Sequence, residues 1–373
     1  MSADVLLLAE DPGAAAYLEG VPEALERAGH SARLLAAGHA AAAFAREKRS
    51  FEPIADLAGA LAVLRTETPK AIAVGTSEDT RGIGLGLIDE ARGRAIASIG
   101  LVDGPANAAY RFRGESDDPL RHAPACIAVP DEATREDYVA LGVAASRVRA
   151  CGHPRRDALY AARDAGPVLG RARALRERWL GGRERGVLLF AAELSTGLND
   201  RAYRKTPEYA LSGNGGSDGR TEIVLEELLL AAHGLDPRPR MVLRLHPKTP
   251  RSLYAAYLDA FDCVSEAEPV AEAILAADLV VGLTSVILDE ALVLGRSAVS
   301  IVPRASESAW LVGARLGLIP VLAERADIAP GLRRGLGGGD RPSRERVETL
   351  LPRGAADRVA RLICDAPAMR AAA

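Results

Sequence analysis

A chain of 373 residues with 48% hydrophobic residues, 26% charged residues and a net charge of −3 has the composition of a globular protein long enough for two domains. No basic footprint for nucleic acid is visible in that charge balance, so nucleic acid is not an expected partner. The four cysteines, Cys126, Cys151, Cys263 and Cys364, form no CxxC pair, which argues against a zinc site or a disulfide framework and favours a reducing cytoplasm. The N-terminal apolar run is only Val5 to Ala9 with no basic flank, so no signal peptide is expected. No apolar run approaches the roughly 20 residues a membrane helix needs, leaving only peripheral contact with a membrane open.

In chain order, Val5 to Ala9 is a strand, Glu10-Asp11-Pro12-Gly13 a turn, and Ala14 to Ala28 a helix closed by Gly29. Ser31 to Ala36 is a second strand. A turn at the carboxyl end of a strand is where α/β sheets bind ligands, which marks Asp11 and Gly13. No GxGxxG stands there. The string GIGLGL (Gly82 to Leu87) precedes a helix and does not follow a strand-to-phosphate turn, so it is not a dinucleotide fingerprint. Further strands are expected at Lys70–Gly75, Ala95–Val102, Cys126–Val129 and Val148–Cys151, with helices between them. That alternation predicts a parallel sheet covered by helices. Asp103 sits just past a buried strand and before Gly104-Pro105. It is either a general base for a hydroxyl nucleophile or a turn cap.

Residues 157–185 have the charge and amphipathic pattern of a linker helix region, broken at Gly181-Gly182. A new strand begins at Gly186. The segment from Ser195 to Arg220 is a long polar loop, either a lid over a ligand or a surface insertion. Thr221 to His233 is an amphipathic helix and Met241 to Leu245 a strand, with His246-Pro247-Lys248 at its carboxyl end. Either His246 and Lys248 meet a diphosphate or a leaving phosphate, with a protonated His246 as counter-charge or catalytic acid, or His246 is a hydrogen-bonded structural residue.

The stretch from Ala277 to Pro303 is a complete strand–turn–helix–strand unit: Leu279–Leu283, a helix from Val286 to Leu294 closed by Gly295, then Ala298–Val302. Thr284 and Ser285 stand at the helix start. There free N–H groups and the positive end of the helix dipole either receive an anion or belong to an ordinary capped βα unit. Glu290 lies on the same helix, and a phosphate with a polyol such as a nucleotide ribose would suit that combination. If the strand after His246 in the sheet ends at Thr284-Ser285, both groups face one crevice.

These strings together resemble a family. AEDPGAAAYLEGVPEAL, VGTSEDTRGIGLGLIDEA, IGLVDGPANAAYRF, VRACGHPRRD, LRLHPK and ADLVVGLTSVILDEALVLG, in this order and spacing, are similar to the GT-B-fold glycosyltransferases of bacterial polysaccharide biosynthesis, related in style to sialyl-, polysialyl- and CDP-glycerol-type transferases. The resemblance implies an α/β GT-B fold of two Rossmann-like domains facing a central cleft. It would divide the chain into an acceptor domain over 1–160, a nucleotide-donor domain over 161–340 and a C-terminal piece, 341–373, crossing back to the first domain. It implies a metal-independent transferase with a nucleotide sugar as donor substrate, no separate cofactor, and a small-molecule or glycan acceptor. His246 would contact the donor phosphate, Lys248 and the helix start would neutralise it, Thr284 and Ser285 would bind it, and Glu290 would hold the ribose. The base is expected in an acid-acid-Gly motif. Here the string is Val102-Asp103-Gly104, so the first acid is missing: either Asp103 or Asp11 serves, or the protein does not transfer sugars. His153 stands where relatives often have Asn and is read as a hinge position. Two other readings share the fold: a sugar-nucleotide 2-epimerase of the hydrolysing kind, and a non-catalytic member that binds a sugar nucleotide. Nucleotide, sugar, acceptor and oligomeric state are not fixed by these motifs. The segment Arg344–Cys364 is expected to be helical and Met369–Ala373 disordered.

Overall fold

The computed structural model describes residues 3–183, 186–194 and 203–371. The chain divides into two compact units, residues 1–158 with 353–373, and residues 159–352.

The first unit is built on β1 (Val5–Ala9), β2 (Ala32–Ala36), β3 (Glu52–Pro53), β4 (Ala71–Gly75), β5 (Ala97–Leu101), β6 (Cys126–Val129) and β7 (Val148–Ala150). They form one seven-stranded sheet in the order β3-β2-β1-β4-β5-β6-β7, every pair parallel. β1, β4, β5 and β6 are buried along their whole length, as expected of apolar runs covered by helices on both faces. Two clusters fill those faces. One gathers Leu7, Tyr17, Leu25 and Phe44 with Val359 and Ile363; the other gathers Leu6, Leu8, Ile72, Ile88, Phe112 and Tyr138.

The second unit repeats the plan with β8 (Val187–Ala191), β9 (Arg240–Arg244), β10 (Cys263–Ser265), β11 (Leu279–Gly282), β12 (Ser297–Ile301) and β13 (Val321–Leu322). Their order is β10-β9-β8-β11-β12-β13, again parallel throughout. Each sheet therefore grows outward in both directions from its first strand. The reversal lies between β1 and β4 in one unit and between β8 and β11 in the other. In such doubly wound sheets ligands bind where the carboxyl ends of those two strands part.

Several expectations are corrected. A single helix over Ala14–Ala28 is two, Pro12–Tyr17 and Val21–Arg27, because Gly20 takes φ of +76° and Pro22 then starts a new helix. The region 157–185 is no linker: the helix Gly166–Leu180 buries Ala172, Leu175 and Trp179 in the second unit's core. The helix Arg344–Leu350 belongs to the second unit, and the chain joins the first unit only from Arg353, not from 341. The helix Ala355–Ala371 extends through three of the five terminal residues expected to be disordered, as a run rich in Ala, Met and Arg favours; 372–373 lie outside the described residues. Strand β8 lies between β9 and β11, so His246 and Thr284 do not stand on neighbouring strands.

Candidate functional site

In the first unit, the turn after β1 places Asp11 at the N-cap of the helix Pro12–Tyr17, with extended backbone and no capping hydrogen bond from its side chain. One residue earlier, Glu10 reaches across the sheet reversal. Its Oε1 accepts from Ile83 N at 2.8 Å and its Oε2 from Gly84 N at 2.9 Å, so it caps the helix Ile83–Gly93 that follows β4. Burial pushes the Glu10 carboxyl above its ordinary pKa, an effect the two N–H donors oppose. The GIGLGL string thus begins a helix whose first turn is held by a carboxylate of the chain.

Asp103, after β5, is half-buried and paired with Arg111: Nη1 donates to Oδ1 at 2.7 Å. Arg111 is held by Asp103 well into its charged form despite burial. The second carboxylate oxygen, Oδ2, lies so close to Gly13 that a Cβ there would overlap it. Gly13 is thus required for space, since its φ is not in the left-handed region. The structure therefore brings Gly13 and Asp103 together, with the strand order β1-β4-β5 placing their loops at one end of the sheet.

Around that pair stand buried polar side chains with little solvent. The Tyr17 hydroxyl donates to Gly152 O at 3.0 Å, and its ring meets His153 edge-on at 5.0 Å between centroids. Burial drives the His153 imidazole down to a pKa of about 3, helped by the Arg156 charge, so it is neutral near pH 7. Its Nδ1 has no hydrogen-bond partner among the described residues, and neither has the buried hydroxyl of Tyr138. His153, the expected hinge position, packs its ring against Tyr17 of the helix Pro12–Tyr17.

In the second unit the loops after β8, β9 and β11 carry the candidate groups. His246 is half-buried, and its Nδ1 accepts from Lys248 N at 3.2 Å, which in the neutral ring leaves the proton on Nε2. Thr284 and Ser285 open the helix Val286–Val293, and Ser285 Oγ accepts from Ile287 N as an N-cap. Glu290 is buried on the same helix, and its neighbour Asp289 accepts from Gly313 N at 2.8 Å.

The backbone donors expected to bind phosphate are already engaged. Glu193, just past β8, places Oε1 at 2.6 Å from Thr284 N, 2.7 Å from Ser285 N and 3.2 Å from Leu283 N. Its Oε2 accepts from Thr284 Oγ1 at 3.1 Å and from Arg220 Nη1 at 2.9 Å. Arg220 is itself buried and donates to Glu307 at 2.7 Å and Thr284 Oγ1 at 3.0 Å. Arg304 joins Glu307 from the other side at 2.8 Å, and both guanidinium groups lie over Trp310. Glu193, Arg220, Glu307 and Arg111 were missed in the sequence. Of these, Glu193 has a positional signal that Glu10 shares: each stands one or two residues past the first strand of a sheet.

Residues 195–202 of the long polar loop lie outside the described residues. The rest is anchored: Glu226 Oε2 accepts from Asn214 N and Gly215 N at 2.8 and 2.6 Å, and Glu227 Oε1 from Gly213 N at 2.9 Å. Among the described residues, no group of three or more His, Cys, Asp or Glu is arranged to hold a metal ion. Nor is any helix long and apolar enough to cross a membrane.

No protein-family model matches this sequence, and no curated protein matches it at the level of sequence. Similar solved structures cover nearly the whole chain. A UDP-GlcNAc 2-epimerase from Neisseria meningitidis bound to UDP-GlcNAc superimposes with a TM-score of 0.63 at 13% identity, over 97% of this chain and 98% of that one. A putative UDP-N-acetylglucosamine 2-epimerase from Listeria monocytogenes gives 0.66 at 13% identity, over 98% and 96%. The wall teichoic acid polymerase TagF, in an H444N variant, gives 0.56 at 13% identity, over 99% and 90%. The chain has the GT-B class of fold, two Rossmann-like α/β domains in succession.

Proposed function

We propose that this protein is an enzyme acting on a sugar nucleotide, transferring the activated sugar to an acceptor without a metal ion. The observation that carries this reading is that both sheet reversals are furnished with charged and hydroxyl side chains, in a chain that matches sugar-nucleotide enzymes over nearly its full length. In this reading the first unit receives the acceptor. Asp103 Oδ2, the oxygen not paired with Arg111, takes the hydroxyl proton, while Arg111 fixes the carboxylate's orientation. Asp11 and Gly13 border that position. In the second unit His246 and Lys248 meet the donor phosphates, Thr284 and Ser285 supply the helix-end donors, and Glu290 serves the ribose.

A 2-epimerase of the hydrolysing kind is the second reading, favoured by the higher TM-scores of the epimerases, 0.63 and 0.66 against 0.56 for the polymerase. One assay separates them. The intact protein is incubated with UDP-GlcNAc and with CDP-glycerol, each with and without a glycan acceptor mixture, and the nucleotides are followed by ion-exchange chromatography. Transfer predicts nucleotide release only with acceptor. Epimerisation predicts free UDP and free sugar from UDP-GlcNAc alone. The same incubations with CMP-, GDP- and dTDP-linked sugars cover the other nucleotides, and consumption of no donor under any condition would remove both catalytic readings.

A further inference from the structure

The end of the helix Val286–Val293 is occupied by an anion that the chain itself delivers. Five donors converge on the Glu193 carboxylate: three backbone N–H groups on Oε1, and the Thr284 hydroxyl and the Arg220 guanidinium on Oε2. An N-cap needs one acceptor for one or two N–H groups, and Ser285 Oγ already caps Ile287 N. The remaining assembly is an anion receptor in its own right, with a helix dipole, three N–H groups, a hydroxyl and a buried cation directed at two oxygens. A phosphate's non-bridging oxygens would use the same donors.

We propose that Glu193 is a resident stand-in for ligand phosphate: it competes intramolecularly for the anion receptor of the second unit, so that a phosphorylated ligand gains these donors only by displacing it. The inference rests on the sugar-nucleotide reading for its natural ligand, though not for its geometry. Three features support it. Glu193 lies just past β8, at the start of the long connection to the helix Arg220–His233, and its side chain is held by the hydrogen bonds named above together with the ion pair to Arg220. Its departure would leave Arg220 paired to Glu307 at 2.7 Å, a fully buried carboxylate that Arg220 shares with Arg304. A carboxylate from the same topological place also caps the facing helix in the first unit. Glu10, however, meets only Ile83 N and Gly84 N and no arginine, so there it is a cap and not a receptor's occupant.

The consequence runs against that of an ordinary contact residue: removing Glu193 should tighten anion binding. The test titrates pyrophosphate, and separately UDP and CDP, into the wild-type protein, Glu193→Ala and Glu193→Gln by calorimetry, with folding checked by thermal unfolding. Glu193→Ala opens the receptor, and pyrophosphate affinity should rise at least tenfold, with a steeper loss of binding as salt is added. Glu193→Gln keeps the side chain's shape but removes its charge, and a smaller gain is expected. It carries the test if the alanine variant does not fold. Unchanged or weaker pyrophosphate binding in the folded variants would overturn the inference. The two readings fail separately. Nucleotides that bind wild type and variants equally well would leave the sugar-nucleotide reading standing and overturn the stand-in. Pyrophosphate binding gained in the variants, with no nucleotide bound by any form, would do the reverse.

Discussion

Gly13 and Asp103 make the contact in the first unit most sensitive to a single atom. A methyl group at Gly13 meets Asp103 Oδ2, and the carboxylate cannot yield without giving up its 2.7 Å bond to Arg111. Gly13→Ala should therefore cost about 1–3 kcal/mol, as overpacking does. In an Asp103→Ala background the same change should cost little, and urea unfolding of the four proteins measures the difference; equal losses in both backgrounds would contradict the contact. His153 supplies a pH signature. Its folded pKa of about 3 lies below the unfolded value near 6.5, so the stability it contributes is present above pH 6.5 and is lost as pH falls toward 3. Between pH 7 and pH 5 that loss is about 2 kcal/mol, and His153→Asn should remove it. The check is urea unfolding at both pH values, where an identical pH dependence in the variant would contradict the assignment. At this scale the sequence was legible in part. Asp103 and Gly13 were marked because each follows an apolar run. Arg111 was not, because it reaches Asp103 through an irregular stretch with no periodicity to announce it. Glu193 was invisible for a related reason: its backbone donors are 90 to 92 residues away in the chain.

The elements that were legible are those buried on both faces. β1, β4, β5, β6 and β11 appear in the sequence as continuous apolar runs, with boundaries shifted by at most a residue or two. β3, β10 and β13 were not foreseen. They are edge or near-edge strands of two or three residues whose pairing comes from the neighbouring strand and not from their own pattern. The segment Arg344–Cys364, expected to be helical, is parted at Leu351–Gly354 into the helix Arg344–Leu350 and the start of the helix Ala355–Ala371, and the place of that second helix was an inference from resemblance. It belongs to the first unit by its contacts. Val359, Leu362 and Ile363 are buried there, Arg358 Nε donates to Cys151 O at 2.8 Å, and Asp157 accepts from Gly354 N and Ala356 N at 2.7 and 3.0 Å. Each of those three apolar side chains stabilises by about 1.5–3 kcal/mol when buried. A chain ending at Pro352 should therefore lose the cooperative unfolding of its first unit, with limited proteolysis leaving a protected fragment within residues 159–352. A truncated protein as protease-resistant over residues 1–158 as the full chain would contradict this.

At the scale of the whole molecule, the two parallel sheets follow from a sequence that alternates buried strands and amphipathic helices twice over. The GT-B class of fold is shared with enzymes only 13% identical to this chain. A fold of that kind hosts several chemistries, so the assignment to sugar nucleotides rests on the groups at the sheet reversals. Those groups depart from expectation at a decisive place, since the helix-end donors of the second unit serve Glu193. On the stand-in proposal, a ligand at these donors must displace that carboxylate. The measurement that tests the central claim most directly is therefore a thermal-shift and calorimetric titration of the intact protein with UDP, CDP, CMP, GDP and dTDP and with UDP-GlcNAc, with and without magnesium. The account predicts saturable binding of one nucleotide class, independent of magnesium, tighter for the sugar nucleotide than for pyrophosphate. It predicts stabilisation of about 2.7 kcal/mol at a hundredfold excess over the dissociation constant. A folded protein that binds none of these ligands at millimolar concentration would contradict it.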